Sequence, residues 1–405
     1  MEPGTWINAS VLKWARERIG LSIEEVEAQS KRLGNYYASV LTEQLKLWES
    51  GSVQPELEHL ETLAEVYVCP VGYFFLKETP VETIPLSFRG LSPEKQGKLK
   101  PLSQQTLHRF LELADWTTLL IEEGRIEWKV SLRHQPQLSG DMNQIETLVE
   151  QERKRLGFTP NIRLTWTDAD DGFAWWRKQI EDQGVFCFQM KLEIGDIRGV
   201  SVWFKSRYPF ILVNHQDVES AAGRIFTLLH EYAHIISGGD GLVCDFRGLR
   251  TGDGSETFAN RFAARMLLSY EDLQNTLRQL GKHEYRETWS DGNLDEIRRP
   301  LFVSRDVVAI ALQEMSLAPS NFYYTKRSLW DKRRPFGRGG GGRRPTNNEL
   351  KLREIGYSLT RILSIPDREG MFPVDDLSSM LGMKVEKVSE FLSWARTEVH
   401  ATGRA

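Results

Sequence analysis

From residue 10 to residue 77 apolar positions recur every three or four residues in short runs, a pattern that predicts a bundle of short helices. Leu12, Ala15 and Ile19 make the first run, Gly20 breaks it, and Ser22 with Glu25 three residues later opens the next helix through Ile23 and Val26. Leu41, Leu45 and Trp48 form another apolar edge, closed by Ser50 and Gly51, and Leu57, Leu60, Leu63, Ala64 and Tyr67 follow Pro55. Residues 103–123 and 141–156 read as two connecting helices. From Asp171 the pattern changes: a helix over 173–183 precedes three runs rich in β-branched and aromatic residues, at 184–188, 199–204 and 209–214, which predict a small sheet. That sheet is expected either to scaffold the domain or to offer an edge near residues 210–214 on which an extended peptide can pair. Beyond it, helical periodicity returns at 226–236 and 256–268. Leu352, Ile355, Leu359, Ile362 and Leu363 predict one amphipathic helix near the C-terminus, with two more at 375–380 and 385–394. The expected fold is mostly α with a small β-sheet, an α+β class.

The run Phe226-Thr227-Leu228-Leu229-His230-Glu231-Tyr232-Ala233-His234 contains the zinc-peptidase pattern H-E-x-x-H. Two histidines four apart project from one helical face, so both imidazoles can reach one Zn2+ while Glu231 stands beside it as general base. Ile225, Leu228, Leu229, Tyr232, Ile235 and Ile236 share the opposite face, so the helix builds a core without using the histidines. Catalytic zinc ordinarily takes a third protein ligand. Glu256, Asn260, Ala263 and Leu267 make one stripe of the next helix; Glu256 would complete a His2Glu set, small Ala263 would allow close approach, and Asn260 would orient a ligand from behind. Asp240, Cys244 and Asp245 are rivals for the third position.

Charge and cysteine use narrow the setting. Residues 1–80 hold 7 Lys/Arg against 12 Asp/Glu, while residues 326–405 hold 16 against 10, so attraction to nucleic acid is expected mainly from the C-terminal end. The glycine-rich stretch from Lys332 to Pro345 carries Arg333, Arg334, Arg343 and Arg344, a basic linker that is either solvated or available to phosphates or an acidic partner. The three cysteines are odd in number and scattered, which argues against a disulfide framework. No apolar run reaches membrane-spanning length and no export signal opens the chain, so the expectation is a cytoplasmic protein with no membrane association.

Two resemblances follow from these motifs. Trp48-Glu49-Ser50-Gly51, the Pro55 to Ala64 stretch and Phe74-Phe75 resemble the XRE (Cro/CI-type) helix-turn-helix domain in the form fused to peptidases. Thr42, Gln44 and Lys46 are then the base or phosphate readers on the recognition helix, although an acidic domain with few cations serves equally for protein recognition. The H-E-x-x-H helix, the Glu256 to Asn260 stripe and Val303-Ser304 resemble the ImmA/IrrE metallopeptidases, with Ser269 where the family has proline. The resemblance implies a zincin-like domain with His230, His234 and Glu256 as zinc ligands and Glu231 as general base, acting on a helix-turn-helix repressor in a phage, mobile-element or stress response. The alternative is a DNA-binding regulator or antitoxin-like protein whose metal site is sensory or structural. The expected organisation is a helix-turn-helix domain over 1–80, connecting helices over 81–160, the metallopeptidase domain over 161–325, the linker over 326–346 and a helical module over 347–405.

Overall fold

The computed structural model describes residues 7–33, 37–67, 69, 71–79, 99–124, 126–132, 142–193, 197–216, 221–238, 254–330, 345–365 and 373–402. They divide into two compact units, with the boundary between Glu112 and Leu113.

In the first unit, α1 (Ala9–Arg18), α2 (Ile23–Arg32), α3 (Thr42–Glu49) and α4 (Leu57–Tyr67) close over a core that includes Leu12, Ala15, Val26, Leu45, Trp48, Leu63 and Phe74. Ser22 and Glu25 form the expected capping box at the start of α2. Arg16 on α1 grips Glu49 on α3 through two hydrogen bonds of 2.6 and 2.8 Å, fixing α3 against the bundle. Leu41 and Leu57 do not join the apolar edge: they are 47% and 61% exposed. Each sits where its helix begins, and side chains there lean back over the preceding loop, away from the core.

The helix α5 (Pro101–Glu123) spans the boundary between the units. The second unit continues with α6 (Met142–Arg155) and α7 (Ala169–Glu181), then β1 (Phe186–Met190), β2 (Gly199–Phe204) and β3 (Tyr208–Asn214). Next come α8 (Ala221–Ser237), α9 (Gly254–Leu267), α10 (Tyr270–Gln279), α11 (Asp291–Arg298), α12 (Arg305–Glu314) and α13 (Phe322–Trp330). The chain ends with α14 (Asn347–Leu363), α15 (Val374–Leu381) and α16 (Val385–Thr402). The architecture is mostly helical with one small mixed sheet, as the sequence pattern predicts.

The sheet order is β1-β3-β2, with β1 parallel and β2 antiparallel to β3. This corrects the expectation of an edge at residues 210–214. Every residue of β3 is buried and the strand is paired on both sides, Phe210 facing Phe186 on one neighbour and Val202 on the other, so no added strand can reach its backbone. The edge strands are β1 and β2.

The outer side of β1 is taken by α14, which is broken at Gly356 (φ 81°, ψ 172°) where the sequence pattern predicts one continuous helix. Buried Arg177 and Glu181, one turn apart on α7, fill the break. Arg177 donates to the Arg353 carbonyl at 2.5 Å and to the Cys187 carbonyl of β1. The Glu181 carboxylate accepts from the Tyr357 and Ser358 amides at 3.1 and 3.5 Å, so it caps the helical turn that restarts after the glycine. Helices α14 and α16 pack together, which joins the C-terminal helices to the same unit as the sheet.

Candidate metal centre

α8 is buried from Ile225 to Ile236 on all its faces, histidines included. Ile225, Leu228, Leu229 and Tyr232 face the main core, as their phase predicts, while the face carrying His230 and His234 is covered by α9 and β2. β2 runs along α8 in matched register. Gly199 lies against Thr227 and Glu231, the Ser201 hydroxyl donates to Glu231 Oε2 at 2.7 Å, and Trp203 Nε1 donates to the Ile235 carbonyl at 3.1 Å. Alternate strand residues advance about 6.6 Å and every fourth helix residue about 6 Å, so the two periods stay in step across three contacts.

α9 supplies Glu256 from its first turn, a favourable place for a carboxylate at the positive end of the helix dipole. Its other end is held by guanidinium groups: Arg153 donates to the Arg265 and Met266 carbonyls at 2.6 and 3.2 Å, and Arg163 donates to the Leu267 carbonyl. Ser269 caps α10 by accepting from the Asp272 amide at 3.1 Å. Buried Ala259 and Ala263 line this helix. Tyr232 hydrogen-bonds Glu152 at 2.7 Å and accepts from Arg155, which anchors α8 to α6.

These elements bring His230, His234 and Glu256 together. His230 Nε2 and His234 Nε2 are 3.2 Å apart, and they lie 3.5 and 3.4 Å from Glu256 Oε2 and Oε1. Ligands about 2.05 Å from a tetrahedral ion stand about 3.3 Å from one another, close to the separation of the two imidazole nitrogens and to the distance from each of them to its nearer Glu256 oxygen. Burial lowers the His230 pKa, which favours the neutral, metal-binding imidazole, although Glu256 and Asn260 work against that shift. Burial opposes ionisation of Glu256 too, but hydrogen bonds and charge from His230 and His234 outweigh it and hold the carboxyl well below the usual range. Asn260, one turn beyond Glu256, thus sits where it interacts with His230. Glu231, next to His230 in the chain, is fully buried, and its carboxylate is held by Ser201.

Residues 180–313 match the family model of the IrrE N-terminal-like domain, Peptidase_M78. This segment is similar to metallopeptidases of the IrrE/ImmA kind, and the match runs from the end of α7 through the sheet and the site helices to α12. Neither a curated protein nor a solved structure matches the chain.

Asp240, Cys244, Asp245, Arg333, Arg334, Arg343 and Arg344 lie outside the described residues. On α3, the Thr42 amide and hydroxyl both donate to Glu27, at 2.8 and 2.6 Å. Gln44 accepts from the Leu41 amide at 3.1 Å, and Lys46 pairs with Glu43 at 3.2 Å. Gln44 therefore caps the helix that carries it, and Glu27 satisfies the amide at its first residue, Thr42. Glu56, Glu58 and His59 form a second group of possible ligands at the start of α4, with both carboxylates exposed. Among the described residues no helix is long and apolar enough to cross a membrane.

Gly199, Ser201, Arg153 and Arg163 were not singled out from sequence. For the first two, a signal was present: Gly199-Val200-Ser201-Val202 puts small residues on one face of a strand just ahead of the H-E-x-x-H helix.

Proposed function

We propose that the chain is a zinc-dependent endopeptidase of the IrrE/ImmA type, with His230, His234 and Glu256 as zinc ligands and Glu231 as general base. The observation that carries this reading is the grouping of His230, His234 and Glu256, with the two Nε2 atoms 3.2 Å apart and each 3.4 to 3.5 Å from a Glu256 carboxylate oxygen, and with Glu231, next to His230 in the chain, fully buried. When bound, zinc supplies Lewis acidity: polarisation of the scissile carbonyl and a lowered pKa for the attacking water. Glu231 takes the proton from that water and delivers it to the leaving amine. Its fixed contact with β2 keeps the carboxylate pointed at one place through both transfers. Glu256 would offset part of the ion's charge, the neutral imidazoles would bind through their nitrogen lone pairs, and Asn260 steadies His230 from behind. A sensory or structural metal site has no use for a second buried carboxylate next to a ligand in the chain, so the presence of Glu231 favours the peptidase reading over a regulator with a passive metal.

The substrate we propose is a protein, a helix-turn-helix repressor cut in an extended segment that pairs along β2, the strand that flanks α8. The first unit supports this as a recruiting domain of the helix-turn-helix kind, with α2 and α3 as the paired helices. Tethering through such a domain raises effective concentration and restricts cleavage to one target. The test is metal analysis joined to incubation of the full chain with co-encoded helix-turn-helix proteins. Wild type should hold zinc and cut one of them at a single site, while Glu231→Gln should hold zinc and cut none. Hydrolysis by Glu231→Gln at the wild-type rate would sink the assignment.

A further inference from the structure

We propose that Ser201 is a positioning residue for Glu231, and that Gly199 is a glycine because the Glu231 side chain occupies the space a Cβ would need. The inference rests on the reading of Glu231 as general base. Ser201 is 2% exposed and its hydroxyl reaches Glu231 Oε2 at 2.7 Å, a short hydrogen bond to a carboxylate. Two residues back on the same strand face, a Cβ at Gly199 would come within 2.8 Å of Glu231 Cγ, Glu231 Oε1 and Thr227 Cγ2. Three of these four contacts involve Glu231, and the fourth touches the residue one turn before it. The strand therefore holds the carboxylate from two directions: Ser201 fixes one oxygen, and the bare Gly199 backbone lets the chain of Glu231 lie flat against β2.

A buried carboxylate in an all-apolar strand contact would keep several rotamers and face a large desolvation penalty. The Ser201 hydroxyl offsets that penalty at one oxygen. Trp203 secures the same register further along, through its bond to the Ile235 carbonyl, so a slip of β2 would carry Ser201 and Gly199 away together.

The test uses the zinc-loaded full chain and acetohydroxamate, which chelates the metal and gives its proton to the neighbouring carboxylate, with affinity read by calorimetry. Glu231→Gln should weaken binding. Ser201→Ala should weaken it about tenfold to a hundredfold, the range for losing a hydrogen bond to a charged group, and should add nothing in the Glu231→Gln background. Ser201→Thr, which keeps the hydroxyl, should restore affinity, and Gly199→Ala should weaken it with the hydroxyl still present. Zinc content should equal wild type in each variant. If Glu231→Gln binds acetohydroxamate as wild type does, the general-base reading fails and this inference falls with it. If Glu231→Gln weakens binding while Ser201→Ala does not, only the role of Ser201 is overturned. Equal losses from Ser201→Ala in both backgrounds, or loss of zinc in Ser201→Ala, would likewise overturn it, because Ser201 would then act through something other than Glu231.

Discussion

Gly356→Ala should undock α14 from the sheet, and the structure allows the effect to be sized. The native backbone at this position, φ 81° and ψ 172°, lies in a region reserved for glycine, and holding alanine there costs about 1–3 kcal/mol. A Cβ would also run into Glu181 Oε1, and would lie 2.6 Å from the Cys187 carbonyl oxygen and 2.7 Å from Arg177 Nη2. Neither Glu181 nor Arg177 can step aside without abandoning the backbone groups it satisfies, so overpacking adds about 1–3 kcal/mol more. The sum, about 2–6 kcal/mol, is a large share of the 5–15 kcal/mol that holds a typical domain together. Hydrogen exchange across residues 347–363 reads the effect directly: amides after the break should lose protection by a factor of about 30 or more. Gly223, inside α8 with nothing near its missing Cβ, is the internal control, and Gly223→Ala should leave stability unchanged or raise it by up to about 1 kcal/mol. Native protection of α14 in Gly356→Ala would refute the claim that the break is what α7 and β1 recognise.

The metal centre predicts about one Zn2+ per chain. His230→Ala or His234→Ala should abolish binding and Glu256→Ala should weaken it; zinc retained in Glu256→Ala and lost in Cys244→Ser would move the third ligand to the loop. Glu181 predicts a pH effect: burial pushes its pKa up to about 7 from 4.5, against the opposing pull of Arg177. The folded chain thus holds that proton more tightly than the unfolded chain, so the contribution is fully present below pH 4.5 and is lost as pH rises through 7, a swing of about 3 kcal/mol. The stability of wild type relative to Glu181→Gln, from urea unfolding, should fall between pH 4.5 and pH 8, and a constant gap would contradict the shift. DNA binding by the full chain should be weak and steeply salt-dependent, and charge removal at Arg333, Arg334, Arg343 and Arg344 should reduce it more than Lys46→Ala. Tight, sequence-specific binding abolished by Lys46→Ala would show that α3 reads bases after all.

Periodic residues made the elements legible. The H-E-x-x-H helix, the Glu256 helix and strand β2 all fall where their own patterns put them, because amphipathic phase is a local property of the chain. Pairing order is not local: the run at 209–214 looks the same whether it lies at an edge or at the centre of a sheet, and only the crossover from β1 to β3 decides. The break at Gly356 was equally hidden, since apolar residues stay in helical phase on both sides of it. Thr42 and Gln44 have the chemistry of base readers, and their partners at the start of α3, Glu27 for Thr42 and the Leu41 amide for Gln44, are set by the fold and cannot be read from the sequence. Ser201 and Gly199 had meaning only once their neighbour was known.

The same neighbour relation explains how a motif of five residues becomes a site. H-E-x-x-H sets His230 and His234 on one line of α8 and leaves Glu231 about 100° from His230, facing elsewhere. On an isolated helix that carboxylate would turn to solvent and serve nothing. β2 removes the solvent, and it can do so without displacing Glu231 because the strand brings a glycine and a serine to positions 199 and 201, where its period matches the turns of α8. α9, pinned at its far end by Arg153 and Arg163, then brings Glu256 to the two histidines. Each of the three elements fixes one part of the chemistry, and the spacing between α8 and β2 is the most sensitive of the three. One residue inserted in β2 between Gly199 and Trp203 would put Val200 or Val202 against Glu231, with no donor for the carboxylate and a branched side chain where the glycine had been, while His230, His234 and Glu256 kept their places.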